Sequence, residues 1–224
     1  MNLANIIKDV NLYTASDSEA VHPVVDATTK LSMSLETENL VKEELIPLLE
    51  TVRDECNIDL SHRCLAGNKA YKTLLALSKK TVDNKDLSNN VLQSLCALIN
   101  GQPDLLDAEG SELFVDRLST FDKNENNLIL SVRLIRLFCV KHEMNRQRFV
   151  ELDIIKILST LLQSHQSNAD LVKEICFTFR VLTFDDDIRV PFGKAHEHAK
   201  MIVTEGDALK HILKICEGKF MWRL

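Results

Sequence analysis

Apolar positions recur at three- and four-residue steps through most of this chain, the spacing of one face of a helix. Leu40, Val41, Leu45, Leu48, Leu49 and Val52 predict a helix over 38–56, with Pro47 inside it predicting a kink or a restart. Leu171, Val172, Ile175, Cys176, Phe179 and Leu182 form one wide stripe in a helix over 168–183. Further helices are expected at about 86–100 and 127–140. Upstream, Val21, Val24 and Val25 fit a helix that starts at Pro23 and ends before the polar break at Ser32–Glu38. Residues 1–17 are polar apart from Ile6 and Ile7 and predict an arm or one frayed turn.

The pattern repeats. Gly67-Asn68, Gly110-Ser111, Leu152-Asp153 and Gly206-Asp207 each precede an apolar helical run. Anchors at 67, 110, 152 and 206 give intervals of 43, 42 and 54. A period in the low forties with only helical signals is that of armadillo/HEAT solenoids. Each unit reads as a short first helix, closed at the anchor by a left-handed Gly67, Gly110 or Gly206. A second helix is then capped by Asn68, Ser111, Asp153 or Asp207. A longer third helix buries its stripe against the neighbouring repeat. Gly101 followed by Pro103 marks one helix stopping and the next starting. The last interval is about 12 residues too long, and the excess falls in 183–200.

Composition narrows the function. With 45% hydrophobic and 27% charged residues, only six Gly and four Pro, the 224-residue chain is ordinary for a helical globular protein. Its net charge of −6 opposes nucleic acid and anionic membranes. Six cysteines without a CxxC read as reduced, mostly buried thiols of a cytoplasmic or nuclear protein. Residues 1–10 lack the apolar core of a secretory signal, and no run is long enough to span a bilayer.

The extra segment carries the conspicuous chemistry: Asp185, Asp186, Asp187, Arg189, His196 and His198. The acids suit capping of the next helix at its positive end. They also suit acid–base work or a hard cation, but the 12-residue calcium-loop pattern is missing. On a helix His196 and His198 point about 200° apart. Glu197, Asp187 and Cys216 stand at no recognised zinc spacing, so no metal or other cofactor is expected. The segment therefore reads foremost as a loop packed on the neighbouring repeat, with partner contact as the other use. Lys141-His142-Glu143 and Arg146-Gln147-Arg148 read as a solvated charged turn, or as an RNA-binding strip without aromatic platforms. No Walker, GxGxxG, GxSxG or HExxH motif occurs.

Three strings go beyond periodicity. Gly101-Gln102-Pro103-Asp104-Leu105-Leu106-Asp107-Ala108 is the first, and Lys141-His142-Glu143 with Asn145-Arg146-Gln147 the second. The third is Phe184 to Gly193 followed by His196-x-His198-Ala199-Lys200-Met201-Ile202-Val203. They resemble one branch of the armadillo-repeat family, from about residue 50 to 205. The resemblance implies an all-α, armadillo-type right-handed α-solenoid of three to four three-helix repeats, incomplete at its C-terminus. It implies a protein-binding scaffold rather than an enzyme, without a small-molecule substrate or membrane. It also implies further repeats beyond Gly218–Leu224, where Gly218-Lys219 looks like read-through of a splice donor in a truncated form. The expected layout is an N-terminal arm over 1–35, partly helical or disordered, a solenoid over 36–217 and a short non-family tail over 218–224.

Peptide-binding armadillo members present one Asn per repeat in their concave groove. Here Asn100 lies near that place, whereas Arg136 and Arg180 stand there in the next two repeats, with Arg133 one turn before. Guanidinium only donates, so it cannot replace an amide that donates and accepts. An arginine row suits carboxylates or phosphates of a partner, unless the arginines pair with acids on adjacent repeats.

Overall fold

A computed structural model describes residues 21–37, 40–119, 124–205 and 207–220, and among them every regular element is helical. The helices are α1 (Pro23–Ser34), α2 (Lys42–Ile58), α3 (Leu60–Lys80) and α4 (Lys85–Ile99). A 3-10 turn (Pro103–Leu105) follows, then α5 (Ala108–Ser119), α6 (Glu125–Cys139), α7 (Glu143–Glu151) and α8 (Ile154–Ser164). The series ends with α9 (Ala169–Leu182), α10 (Ala195–Thr204) and α11 (Ala208–Phe220). Residues 1–17, expected as an arm, and residues 221–224 of the expected tail lie outside the described residues.

Two layers of helices stack along one axis. α2, α4, α6 and α9 pack in succession as an inner layer, while α1, α3, α5, α8 and α11 form the outer one. α4 and α6 are each squeezed between two inner neighbours and an outer helix, so their burial extends well round the cylinder. In α4, Leu87, Val91, Leu92, Leu95, Leu98 and Ile99 are all at most 2% exposed. At about 1.5–3 kcal/mol per buried aliphatic side chain, this shared core outweighs any helix propensity. Residues 23–34, grouped with the arm from sequence, form a helix with Val24, Ala27 and Leu31 buried against α2 and α3.

The starts of three inner helices share one device. Asn84, Asn124 and Asn168 precede α4, α6 and α9, and each accepts a backbone N–H of the first turn through its side chain. Pro47 does not restart α2, which runs unbroken from Lys42 to Ile58.

The anchors behave differently from expectation. Gly67 has φ +51° and breaks α3 into a short first part and a longer second part. Asp153 and Asp207 take the left-handed conformation themselves, at φ +60° and +50°. Gly110 is no turn; it lies inside α5, where an added Cβ would stand 2.0 Å from the Tyr71 hydroxyl. Close packing, not a left-handed turn, is the reason for glycine there. Ser111 is buried inside the same helix rather than capping it, and Asp153 makes no side-chain cap bond.

Between an inner helix and the next element, the chain uses only Asp59, residues 100–102 or residues 140–142. After α9 it uses residues 183–194, twelve positions against three after α4 and α6, which accounts for most of the excess seen in the repeat spacing.

Candidate functional site

The inner helices line one face of the stack with polar groups. Arg53, Asn57, Gln93, Cys96, Asn100, Leu130, Arg133 and Leu137 border one depression. Asn89, Gln93, Asn126, Leu130, Arg133, Asp170, Lys173 and Glu174 border the next, and the shared Gln93, Leu130 and Arg133 join the two into a groove. Hydrogen bonds between neighbouring helices run along its floor: Arg53 Nη1 to Gln93 Oε1 at 3.0 Å, and Asn89 Nδ2 to Asn127 Oδ1 at 3.3 Å.

Arg133 and Arg136 on α6 converge on Glu174 of α9. Arg133 donates from Nε and Nη2 to Oε1 at 2.9 and 2.8 Å, and Arg136 donates from Nε to Oε2 at 3.1 Å. The Glu174 side chain is 8% exposed, whereas that of Arg133 remains 42% exposed. One carboxylate therefore orients two guanidinium groups and leaves a net positive charge facing the groove. One turn further along α9, the exposed Phe177 ring has Arg136 and Lys173 at 5.9 and 5.8 Å from its centre. Arg180 is exposed, makes no ion pair among the described residues, and lies 5.2 Å from the Phe184 ring centre.

Counting from helix starts corrects the register read from sequence. Arg136 and Arg180 are the twelfth residues of α6 and α9, and the twelfth residues of α2 and α4 are Arg53 and Cys96. Asn100 is not in this row; it is the C-cap of α4 at the groove's edge. Arg53, which belongs to the row, went unseen because the repeat was counted only from Gly67 onward.

The insertion after α9 folds back onto the preceding repeat. Arg146 of α7 is wholly buried: Nε donates to Glu143 Oε2 at 2.8 Å and Nη1 to Asp186 Oδ1 at 2.6 Å. Glu143 Oε1 in turn accepts Gln147 Nε2 at 2.8 Å and the Lys194 backbone N–H at 2.7 Å. Burial pushes the Glu143 carboxyl up, but the hydrogen bonds from Gln147, Lys194 and Arg146 outweigh it and hold the group below the ordinary glutamate range.

Asp187 forms the second half of this contact. Its Oδ2 accepts the backbone N–H of Glu143 at 2.9 Å, and Arg189 clasps both carboxylate oxygens from Nε and Nη2. The Arg189 bond, then the backbone bonds from Glu143 and Arg189, hold Asp187 far below the usual carboxylate range. So the capping acid serves the N-terminus of α7 in the repeat before, not α10, which follows it and has no side-chain cap. Arg189 reaches on to Asp104 Oδ1 at 2.9 Å. His142 also binds that oxygen at 2.9 Å through Nε2, while its Nδ1 accepts from Asn145 N–H. An accepting Nδ1 places the proton on Nε2, so His142 donates to Asp104. The turn expected to be solvated is thus the buried centre of an ionic contact; of its cations only Lys141 is fully exposed.

His196 is exposed, and His198 is buried with Nδ1 3.0 Å from Leu182 O. They sit on opposite sides of α10, and among the described residues no three metal-ligating side chains of 183–200 come together. Asp185 is exposed, as are Ile188 and Phe192 at the insertion's surface. All six cysteines are free, but only Cys56 and Cys139 are fully buried.

These features define an α-solenoid with a polar inner groove. Comparison places it more narrowly: the chain belongs to the ARMC6 family, whose model matches residues 24–219. It is 38% identical over 218 residues to Armadillo repeat-containing protein 6 of Homo sapiens, covering 96% of this chain and 43% of that protein. It is 35% identical over 211 residues to the homolog in Drosophila melanogaster, covering 92% of this chain and 44% of that protein. The chain thus spans less than half the length of these relatives. A crystal structure of an engineered protein matches with a TM-score of 0.62 at 14% identity, over 83% of this chain and 76% of that one, which bears on the fold alone. The relatives are named for their repeats, not for a reaction. Among the described residues no helix is long and apolar enough to cross a membrane.

Proposed function

We propose that this chain is a non-catalytic adaptor whose groove holds an extended, acidic segment of a partner protein, in the cytoplasm or nucleus. The observation that carries this reading is the recurrence of arginine at one position of the inner helices, Arg53 on α2, Arg136 on α6 and Arg180 on α9, with Cys96 in that place on α4 and Arg133 beside Arg136. Guanidinium forks match carboxylates or phosphates in pairs. The amides of Asn57, Gln93 and Asn100 border the same groove and can both donate to and accept from an extended main chain. Glu174 is buried and faces only Arg133 and Arg136, and Asp54 takes only Arg53 Nε, at 2.9 Å, so Arg180 and the remaining guanidinium donors of the row are left for a partner. Phe177 and Phe184 add apolar surface beside the cations. Ile188 and Phe192 are further exposed apolar side chains on the insertion.

The test is fluorescence polarisation against extended peptides of acidic, phosphorylated, neutral and basic composition, with single-stranded RNA in the same series. Acidic or phosphorylated peptides should bind, more weakly as salt rises. Arg53→Ala/Arg136→Ala/Arg180→Ala should weaken binding at least about tenfold, since a charged hydrogen bond contributes about 1.5–3 kcal/mol. Equal affinity for the variant, or a preference for RNA over every peptide, defeats the proposal.

A further inference from the structure

Three side chains far apart in sequence meet beside the N-terminal helix. Glu55 Oε2 lies 2.8 Å from His62 Nδ1 and 3.9 Å from His22 Nε2. One donor atom from each residue falls within 4.8 Å of the other two. The two imidazole rings stand edge to face at 4.4 Å between centres. The three come from separate elements: His22 precedes α1, Glu55 is on α2, and His62 is in the first turn of α3. All three side chains are between 22% and 30% exposed, so the site is walled but open to solvent on one side.

We propose that His22, Glu55 and His62 bind a divalent transition-metal ion of the zinc type, which clips α1 to α2 and α3. Two imidazoles and a carboxylate are a donor set that zinc accepts with a fourth position left to water. Bonds of about 2.0–2.2 Å in a tetrahedron put donor atoms roughly 3.3–3.6 Å apart. The observed 2.8 and 3.9 Å bracket that separation, and the donor atoms all lie within 4.8 Å of one another, so side-chain adjustment without backbone rearrangement closes the site.

The proton positions fit as well. His22 Nδ1 accepts from Val24 N–H at 3.3 Å, which puts its proton on Nε2, facing Glu55. Glu55 accepts only, so His62 Nδ1 carries a proton directed at the same oxygen. Two N–H groups already point at one carboxylate where a dication would sit. On metal binding each ring shifts its proton to the other nitrogen, and His22 gives up its bond from Val24. The cost is one weak helix cap and the His62–Glu55 hydrogen bond, which metal ligation replaces, and Val25 and Asp26 N–H keep their bonds to His22 O.

The experiment is calorimetric titration of the full chain with zinc chloride, paired with thermal denaturation with and without zinc. Exposed Cys64 and Cys216 are soft ligands, so every protein carries Cys64→Ser/Cys216→Ser. One equivalent should bind, raise Tm, and be reversed by chelator. Glu55→Gln and His62→Ala, each checked for helical content by circular dichroism, should weaken binding at least about tenfold and abolish the Tm rise. Glu55→Gln keeps the side chain's size and a hydrogen-bonding oxygen, so it separates ligation from folding. No zinc binding by the parent, or binding unchanged in Glu55→Gln, overturns the proposal.

Discussion

Arg146→Met is the sharpest probe of the contact between the insertion and the preceding repeat. Arg146 is 0% exposed and its partner Glu143 1%, so neither charge is hydrated when the other is removed. Methionine fills much of the volume but leaves Glu143 buried without its cation and frees Asp186 from its anchor. Breaking a buried pair by removing one partner costs about 3–5 kcal/mol. For a chain of this length each kcal/mol moves Tm by about 2–4 °C, so the midpoint should drop by about 6–20 °C. Arg146→Lys should be little better, because one ammonium cannot serve Glu143, Asp186 and Cys139 O in the fork geometry. In Arg146→Met/Glu143→Gln the buried charge is gone while the amide oxygen can still accept the Lys194 N–H. That double variant should be more stable than the two single losses summed, by at least about 1 kcal/mol. Urea and thermal unfolding of the four proteins close the cycle. A loss below about 1 kcal/mol for Arg146→Met, the size of a surface ion pair, would refute the reasoning by showing that water reaches the site.

Other outcomes follow from the same contacts. Asp187 and Glu143 are held below their ordinary carboxylate range when folded, so the unfolded chain binds more protons. Their stabilisation should be complete above the ordinary range of about pH 4–4.5, be lost as pH falls through their folded values, and be smaller in Asp187→Asn; urea midpoints from pH 7 to 3 measure it. Gly193→Ala should cost about 1–3 kcal/mol, because a Cβ would lie 2.8 Å from Asp185 Oδ1 and 3.1 Å from Glu143 Cδ. Limited proteolysis should then cut within 183–194 faster than in the parent, and equal rates would show that the loop accommodates the methyl group. Gly67→Ala meets no neighbouring atom but must hold φ +51° and ψ −148°, a backbone region that glycine adopts far more readily, so calorimetry should show a loss of about 1–3 kcal/mol, all of it backbone strain.

The helical class, the repeat and the length of the insertion were legible in the sequence because each depends on local periodicity. Apolar residues three and four apart share a helix face whatever the neighbours do, so the inner helices at 85–99, 125–139 and 169–182 fall within a few residues of their predicted bounds. An interval of 54 among intervals near 43 by itself requires extra chain in 183–200. The Asn caps at 84, 124 and 168 were also written in the sequence, but they fall outside the anchors used to count the repeat.

The use of the charges was decided by the stack alone. Arg146 looks like any surface arginine along the chain, and its burial depends on Asp186, forty residues later, returning to cover it. Arg133 and Arg136 meet Glu174 across 41 and 38 residues. His22, Glu55 and His62 come together from three separate segments. Periodicity says which side of a helix faces the core. Which polar group stands opposite depends on the rise and rotation from one repeat to the next, a property of packed helices that no stretch of sequence carries by itself.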